Sequence, residues 1–118
     1  MSTTPPAHLQ RGQRAERLAE EYLIAQGLTL VTRNYRCAHG ELDLVMQDRD
    51  SFVFVEVRAR RNRDFGGAEG SIDRRKQAKL RASALHYLQV HRLDAPCRID
   101  VVAVNGDALV WHRDAIGA

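Results

Sequence analysis

Phe52-Val53-Phe54-Val55-Glu56-Val57-Arg58 decides how this chain folds. In an extended backbone Val53, Val55 and Val57 share one face, while Phe52, Phe54, Glu56 and Arg58 share the other. Most of the stretch is therefore apolar on both sides, the pattern of a central strand covered above and below. Upstream, Glu41 to Met46 and Leu28 to Arg36 read as two further strands, and the polar Gln47-Asp48-Arg49-Asp50 reads as a hairpin turn. Before them lies a helix from about Arg11 to Gln26, with Ala15, Leu18, Ala19, Tyr22 and Leu23 spaced by threes and fours and Gly27 as its stop. Downstream, Arg60 to Gly70 reads as a glycine-bearing loop. Ser71 or Asp73 then caps a second helix that runs to about His91, its apolar side formed by Leu80, Ala84, Leu85, Tyr87 and Leu88. Cys97 to Val104 returns to strand, Asn105-Gly106 makes a tight hairpin, and Leu109-Val110-Trp111 completes it. The order α-βββ-α-ββ predicts an α/β domain, a mixed β-sheet flanked by helices.

The composition bounds what such a domain does. Residues 10–118 suffice for one domain with its own core, and residues 1–9, with Pro5-Pro6, read as a flexible leader. With 44% apolar and 28% charged residues, the chain is ordinary globular protein, without an apolar run long enough to cross a membrane. The first eight residues lack the basic flank and apolar stretch of a signal peptide. Cys37 and Cys97 are too few for a disulfide scaffold or a tetrahedral zinc site, and are expected to be reduced thiols in the cytoplasm. The charge is unevenly spread. Arg58 to Arg81 carries nine basic and three acidic residues, a net +6, against −3 for the remainder. A basic stretch on a neutral-to-acidic body suits a polyanion, with nucleic acid the first candidate and a merely solvated surface the alternative.

Glu56 is the chemical anomaly of the central strand. A carboxylate there costs several kcal/mol unless compensated, either by a structural ion pair with an arginine or by a metal ion or substrate. Asp43, on the adjoining strand, alternates with apolar neighbours, and the hairpin at 47–50 places the two strands side by side. Cross-strand neighbours on one face have Cβ atoms about 5 Å apart, so Asp43 and Glu56 can converge and would then need a cation between them. Mg²⁺ or Mn²⁺ is the natural choice, since hard ions take carboxylate and carbonyl oxygens and can activate a water against a phosphate. Glu16, at the edge of the first helix's stripe, could reach the same place. Lys76, one turn before Leu80 at the edge of the second helix's buried side, either reaches inward to a phosphate or lies on the surface; without other information the surface is favoured. The five histidines show no zinc-ligand spacing, and Gly66-Gly67-Ala68-Glu69-Gly70 follows no strand that would make it a phosphate loop.

Asp43, twelve intervening residues, then Glu56-Val57-Arg58 resembles the PD-(D/E)xK nuclease signature, here in the form D-x12-E-x-R. The wider set is more specific: Gly12-x-x-Ala15-Glu16 with Tyr22-Leu23, Asn34-x-Arg36, Gly40-Glu41-Leu42-Asp43-Leu44, Phe54-Val55-Glu56-Val57-Arg58, Lys76, and Arg98-Ile99-Asp100-Val101-Val102. Together they resemble the YraN family of small bacterial endonuclease-like proteins, similar to archaeal Holliday-junction resolvases. That resemblance implies the restriction-endonuclease-like fold. It implies Glu16, Asp43 and Glu56 as metal-site acids and position 58 as the catalytic lysine position. Here that position is Arg58, which stays charged and can stabilise phosphate but not act as a base; Lys76 might supply the amine instead.

The expected activity is divalent-metal-dependent hydrolysis of phosphodiester bonds in structured or branched DNA. Asp43, Glu56, Arg58 and Lys76 would act on the phosphate, and Arg60, Arg61, Arg63, Arg74, Arg75, Lys76 and Lys79 would hold the nucleic acid. A homodimer is one way for so small a domain to embrace a four-way junction. Two rivals stand beside this: a nucleic-acid-binding module of the same fold that does not cleave, and an interaction protein whose acids form structural ion pairs.

Overall fold

In the computed structural model, residues 7–59 and 72–117 are described. The elements are α1 (Ala7–Ala25), β1 (Thr29–Cys37), β2 (Gly40–Asp48), β3 (Ser51–Ala59), α2 (Arg74–Val90), β4 (Cys97–Asn105) and β5 (Ala108–Ile116). The order is the expected α-βββ-α-ββ; β1 keeps its expected length, shifted by one residue, and the other four strands are longer than their apolar signals. Helix α1 begins at Ala7, inside the stretch read as a leader; residues 1–6 lie outside the described ones.

The five strands form one mixed sheet in the order β1-β2-β3-β4-β5. Neighbours are antiparallel except β3 and β4, which run parallel because the chain crosses over through α2 between them. As its pattern requires, β3 is covered on both faces. Val53 and Val55 join Leu44, Met46, Val102 and Val104 beneath Ala15, Ala19 and Leu23 of α1. Phe52 and Phe54 join Leu42, Val45, Ile99 and Val101 beneath Leu80, Ala84 and Tyr87 of α2. Each fully buried side chain of this size stabilises by about 1.5–3 kcal/mol.

Two apolar residues assigned to helix stripes are exposed. Tyr22 is 38% exposed and sets its ring edge-on against Trp111, and Leu85 is 55% exposed. At 100° per residue, Leu85 stands about 140° around the helix from Leu80. Ser83 and Lys76, both within about 60° of Leu80, occupy the inner side instead.

Opposite Tyr22, the buried polar centre of the sheet is Asp100, wholly inaccessible to solvent. Its carboxylate accepts from Arg98 Nε (3.0 and 3.2 Å), Trp111 Nε1 (2.9 Å) and the Asp114 N–H (2.8 Å). Arg98 also reaches Asp48 Oδ2 at 3.3 Å. The network pins the edge strand β5 to β4 and to the β2–β3 turn.

Both helices end in the same way. Leu28 N–H bonds Leu23 O and Gly27 N–H bonds Ile24 O after α1, with Gly27 at φ +105°. Leu93 N–H bonds Leu88 O and Arg92 N–H bonds Gln89 O after α2, with Arg92 at φ +52°. This is the Schellman arrangement, whose left-handed residue is ordinarily glycine. Since nothing lies within 4 Å of a Cβ added at Gly27, only backbone strain separates the two ends. Gly27→Ala is therefore expected to destabilise by about 1 kcal/mol, and Arg92→Gly to be neutral or stabilising by up to about 1 kcal/mol. Urea unfolding of the two variants checks this; a stability loss in Arg92→Gly matching that in Gly27→Ala would show that side-chain contacts of Arg92, not φ, govern that end.

Candidate functional site

The β2–β3 ladder begins at Asp48–Ser51 and stops at Leu44–Val55. Beyond that pair β3 continues alongside β4 only, and β2 alongside β1 only. The cause sits at Asp43: its Oδ2 accepts the Val57 N–H at 2.8 Å, so a side chain stands where the next rung would form. The alternation of β2 breaks at the same residue. Leu44 packs on the α1 face and Leu42 on the α2 face, though residues two apart in a regular strand share a face. Across from Asp43, between the Arg33–Leu44 and Tyr35–Leu42 pairs, Asn34 adopts φ +51°.

The parting of the strands sets Asp43 beside Glu56, close enough for the two carboxyl groups to interact electrostatically. Glu56 is only 3% exposed. Burial, then the neighbouring Glu56 charge, push the Asp43 carboxyl from its ordinary 3.8 up to about 8; the Val57 N–H opposes the shift and Glu16 adds to it. Arg58 Nη1 and Lys76 Nζ each stand 3.4 Å from Glu56 Oε2. Lys76 thus turns inward, contrary to the surface position expected for a charged side chain. It belongs to the first turn of α2, where the cap Asp73 accepts its backbone N–H at 2.8 Å, and its stem lies on the helix's inner side.

Glu16 reaches the rim from α1 but is held apart from the pair. Asn34 Nδ2 donates to Glu16 Oε1 at 3.0 Å and to Glu41 Oε1 at 3.1 Å, and Arg36 Nε bonds Glu41 Oε2 at 3.1 Å. Burial raises the Glu16 carboxyl above its ordinary range; the Asn34 bond opposes this, while Glu41 and Glu56 add to it. Four carboxylates thus crowd one end of the sheet. Among the described residues, no three His, Cys, Asp or Glu side chains already stand in metal-ligating geometry; what is assembled is the pair. The donor set nonetheless fits a hard divalent cation. It consists of oxygens, and burial together with the neighbouring Glu56 charge disfavours a second negative charge there, which a cation would offset.

Arg74, Arg75 and Lys79 are exposed on the opening turns of α2, whereas Arg60, Arg61 and Arg63 lie outside the described residues. Sequence reasoning missed Asn34. Asparagine is enriched at positive φ, but inside a strand-like run nothing marked it as a bridge between two acids.

Fold and site together define a small α/β protein with paired carboxylates where two central strands part, edged by basic side chains. The chain belongs to the uncharacterised protein family UPF0102, whose profile matches residues 15–104. It is similar to a UPF0102 protein of Nitrosococcus oceani, 50% identical over 117 residues that cover 94% of each chain. A UPF0102 protein of Shewanella sp. (strain W3-18-1) is 49% identical over 104 residues, 88% of this chain and 96% of the relative. One from Shewanella loihica is 44% identical over 112 residues, 95% and 98% of the two chains.

The raised Asp43 carboxyl fixes a sign for stability. The fold binds this proton more tightly than the unfolded chain does, so the group's favourable contribution is complete below pH 3.8 and is lost as pH rises towards about 8. Asn at this position can still accept the Val57 N–H and donate to Glu56 without titrating. In EDTA, the stability of Asp43→Asn relative to the native chain should climb across that window. At pH 8 the variant should be the more stable by at least about 1.4 kcal/mol, the free energy of one pKa unit. Urea unfolding along a pH series measures it; a variant less stable at pH 8 than at pH 4, relative to the native chain, contradicts the crowding of the pair.

Proposed function

We propose that this chain is a cytoplasmic, divalent-metal-dependent nuclease that hydrolyses phosphodiester bonds in structured or branched DNA. The observation that carries the reading is the convergence of Asp43 and Glu56 where β2 and β3 part, with the Lys76 amine 3.4 Å from Glu56. Asp43, Glu56 and the Val57 carbonyl would hold Mg²⁺ or Mn²⁺, with Glu16 assisting. A bound ion would supply Lewis acidity, making water a better nucleophile and neutralising charge on the phosphate. Arg58, permanently charged, stabilises the negative charge that grows on the phosphate oxygens. Lys76, beside Glu56, would orient the attacking water and contact the scissile phosphate. Arg74, Arg75 and Lys79 hold backbone phosphates without reading sequence, helped by the free N–H groups of the helix start. Two unpaired thiols suit a reducing compartment.

A second reading, a binding module that no longer cleaves, is favoured by one feature: both Arg58 and Lys76 already contact Glu56. Labelled duplex, single-stranded and four-way DNA incubated with Mg²⁺, Mn²⁺ or EDTA separates the two. Metal-dependent cleavage should fall to background in Glu56→Gln and about 10²–10⁴-fold in Lys76→Ala, and be kept or raised in Arg58→Lys. Binding without cleavage would establish the second reading, and cleavage unchanged in Glu56→Gln would place the chemistry elsewhere. In the same assay, joint replacement of Arg74, Arg75 and Lys79 by Ala should flatten the salt dependence of binding by up to about three logarithmic units of slope. Lys76 is spared there because of its contact with Glu56. An unchanged slope would remove α2 from the interface.

A further inference from the structure

On the α1 face, beside the acid pair, lies a cavity of about 400 Å³, within the ~300–1,000 Å³ range of pockets that enclose small ligands. Leu44, next in sequence to Asp43, and Glu16, which reaches the rim of the acid cluster, both line it, so cavity and cluster adjoin. Its chemistry differs from that of the basic α2 start on the opposite face. Arg33 is occupied by Glu20 through two bonds of 2.6 and 2.8 Å. With Arg17 set against Glu16, the lining carries no formal net charge. A phosphate entering it would meet two carboxylates. A neutral group with a polar edge would meet unspent hydrogen-bonding capacity. Among the described residues, the side chains of Gln13 and Arg17 make no hydrogen bond or ion pair. Both hydrogens of the Asn34 amide are committed to Glu16 and Glu41, which fixes the direction of its Oδ1 acceptor.

We propose that this cavity is a nucleobase subsite, taking one unstacked base of the nucleic acid whose backbone lies across the Asp43–Glu56 pair. Gln13 and the Asn34 Oδ1 address the base edge, as amides do with both donor and acceptor groups. The Arg17 guanidinium offers donors and a plane on which a base stacks. Leu44 supplies an apolar wall. Extracting a base from a duplex costs least where it is already unpaired, so the cavity selects bulged, flapped or single-stranded sites over perfect duplex. The inference takes its substrate from the nuclease reading, but the cavity itself is testable apart from cleavage.

The test has two arms. Thymidine, deoxyguanosine and inorganic phosphate are titrated separately into ¹⁵N-labelled protein in EDTA. The two nucleosides should shift the side-chain amide signals of Gln13 and Asn34, and phosphate should leave them in place. In Ca²⁺, binding to a duplex with one bulged nucleotide should be about tenfold tighter than to the perfect duplex. A Gln13→Ala, Arg17→Ala double variant, altered only at exposed positions of α1, should lose that preference while binding perfect duplex as before. Absence of nucleoside shifts, equal shifts with phosphate, or a preference that survives the double variant would overturn the proposal. Nucleoside shifts in a protein that binds neither duplex would keep the subsite and reject the nuclease reading. Cleavage of perfect and bulged duplex at equal rates would do the reverse.

Discussion

Two carboxylates, Asp43 and Glu56, stand beside each other in a corner largely closed to water, and the rest of the site is arranged around that unfavourable proximity. In such a place like charges repel far more strongly than in solvent. The scaffold answers locally. Asp43 gives up a rung of the β2–β3 ladder to accept the Val57 N–H, α2 opens so that Lys76 points at Glu56, and Arg58 approaches from the same strand. Asn34, in a left-handed conformation, holds the next two acids with a neutral amide where a cation would otherwise be required. Burial, then the Glu56 charge, still hold the Asp43 carboxyl well above the ordinary aspartate range. A divalent cation would relieve that crowding.

Such strain is tolerable because the surrounding sheet is not itself strained. The central strand β3 is buried on both faces by two separate apolar clusters. Away from the acid pair, Asp100, the one fully buried aspartate among the described residues, has its oxygens satisfied by four hydrogen bonds from three residues. Removing one partner of a buried ion pair typically costs about 3–5 kcal/mol, so Arg98 and Asp100 hold the sheet together. The contrast is between a carboxylate surrounded by donors and two carboxylates set side by side.

The periodic features were legible in the sequence: the doubly apolar β3, the stripes of both helices, Gly27 as a stop and Asn105-Gly106 as a turn. So was the meeting of Asp43 with Glu56, because a short hairpin sets the two positions opposite each other, although the ladder stops one pair earlier and the alternation of β2 breaks at Asp43. Other features were hidden by the kind of signal they leave. Arg92 ends α2 in a conformation that glycine usually announces. Leu85 looks like a core residue but lies on the wrong arc of the helix, while Lys76 lies on the right arc yet is charged. Asn34 stands among the residues that carry the family resemblance, but its role, exerted through a positive φ inside a strand, leaves no residue pattern. Position 58 shows the limit most clearly. The sequence places Arg58 two residues after Glu56, and only the fold shows a lysine arriving beside the same carboxylate from α2.

Diffraction from crystals soaked in Mn²⁺, recorded where manganese scatters anomalously, tests the central claim most directly. The expected result is one anomalous peak shared by the Asp43 and Glu56 carboxylates and the Val57 carbonyl, with Lys76 and Arg58 drawn back from Glu56. A crystal without that peak, in which Glu56 remains in contact with Arg58 and Lys76 at saturating Mn²⁺, would show the acids to be a structural ion-pair cluster and not a metal centre.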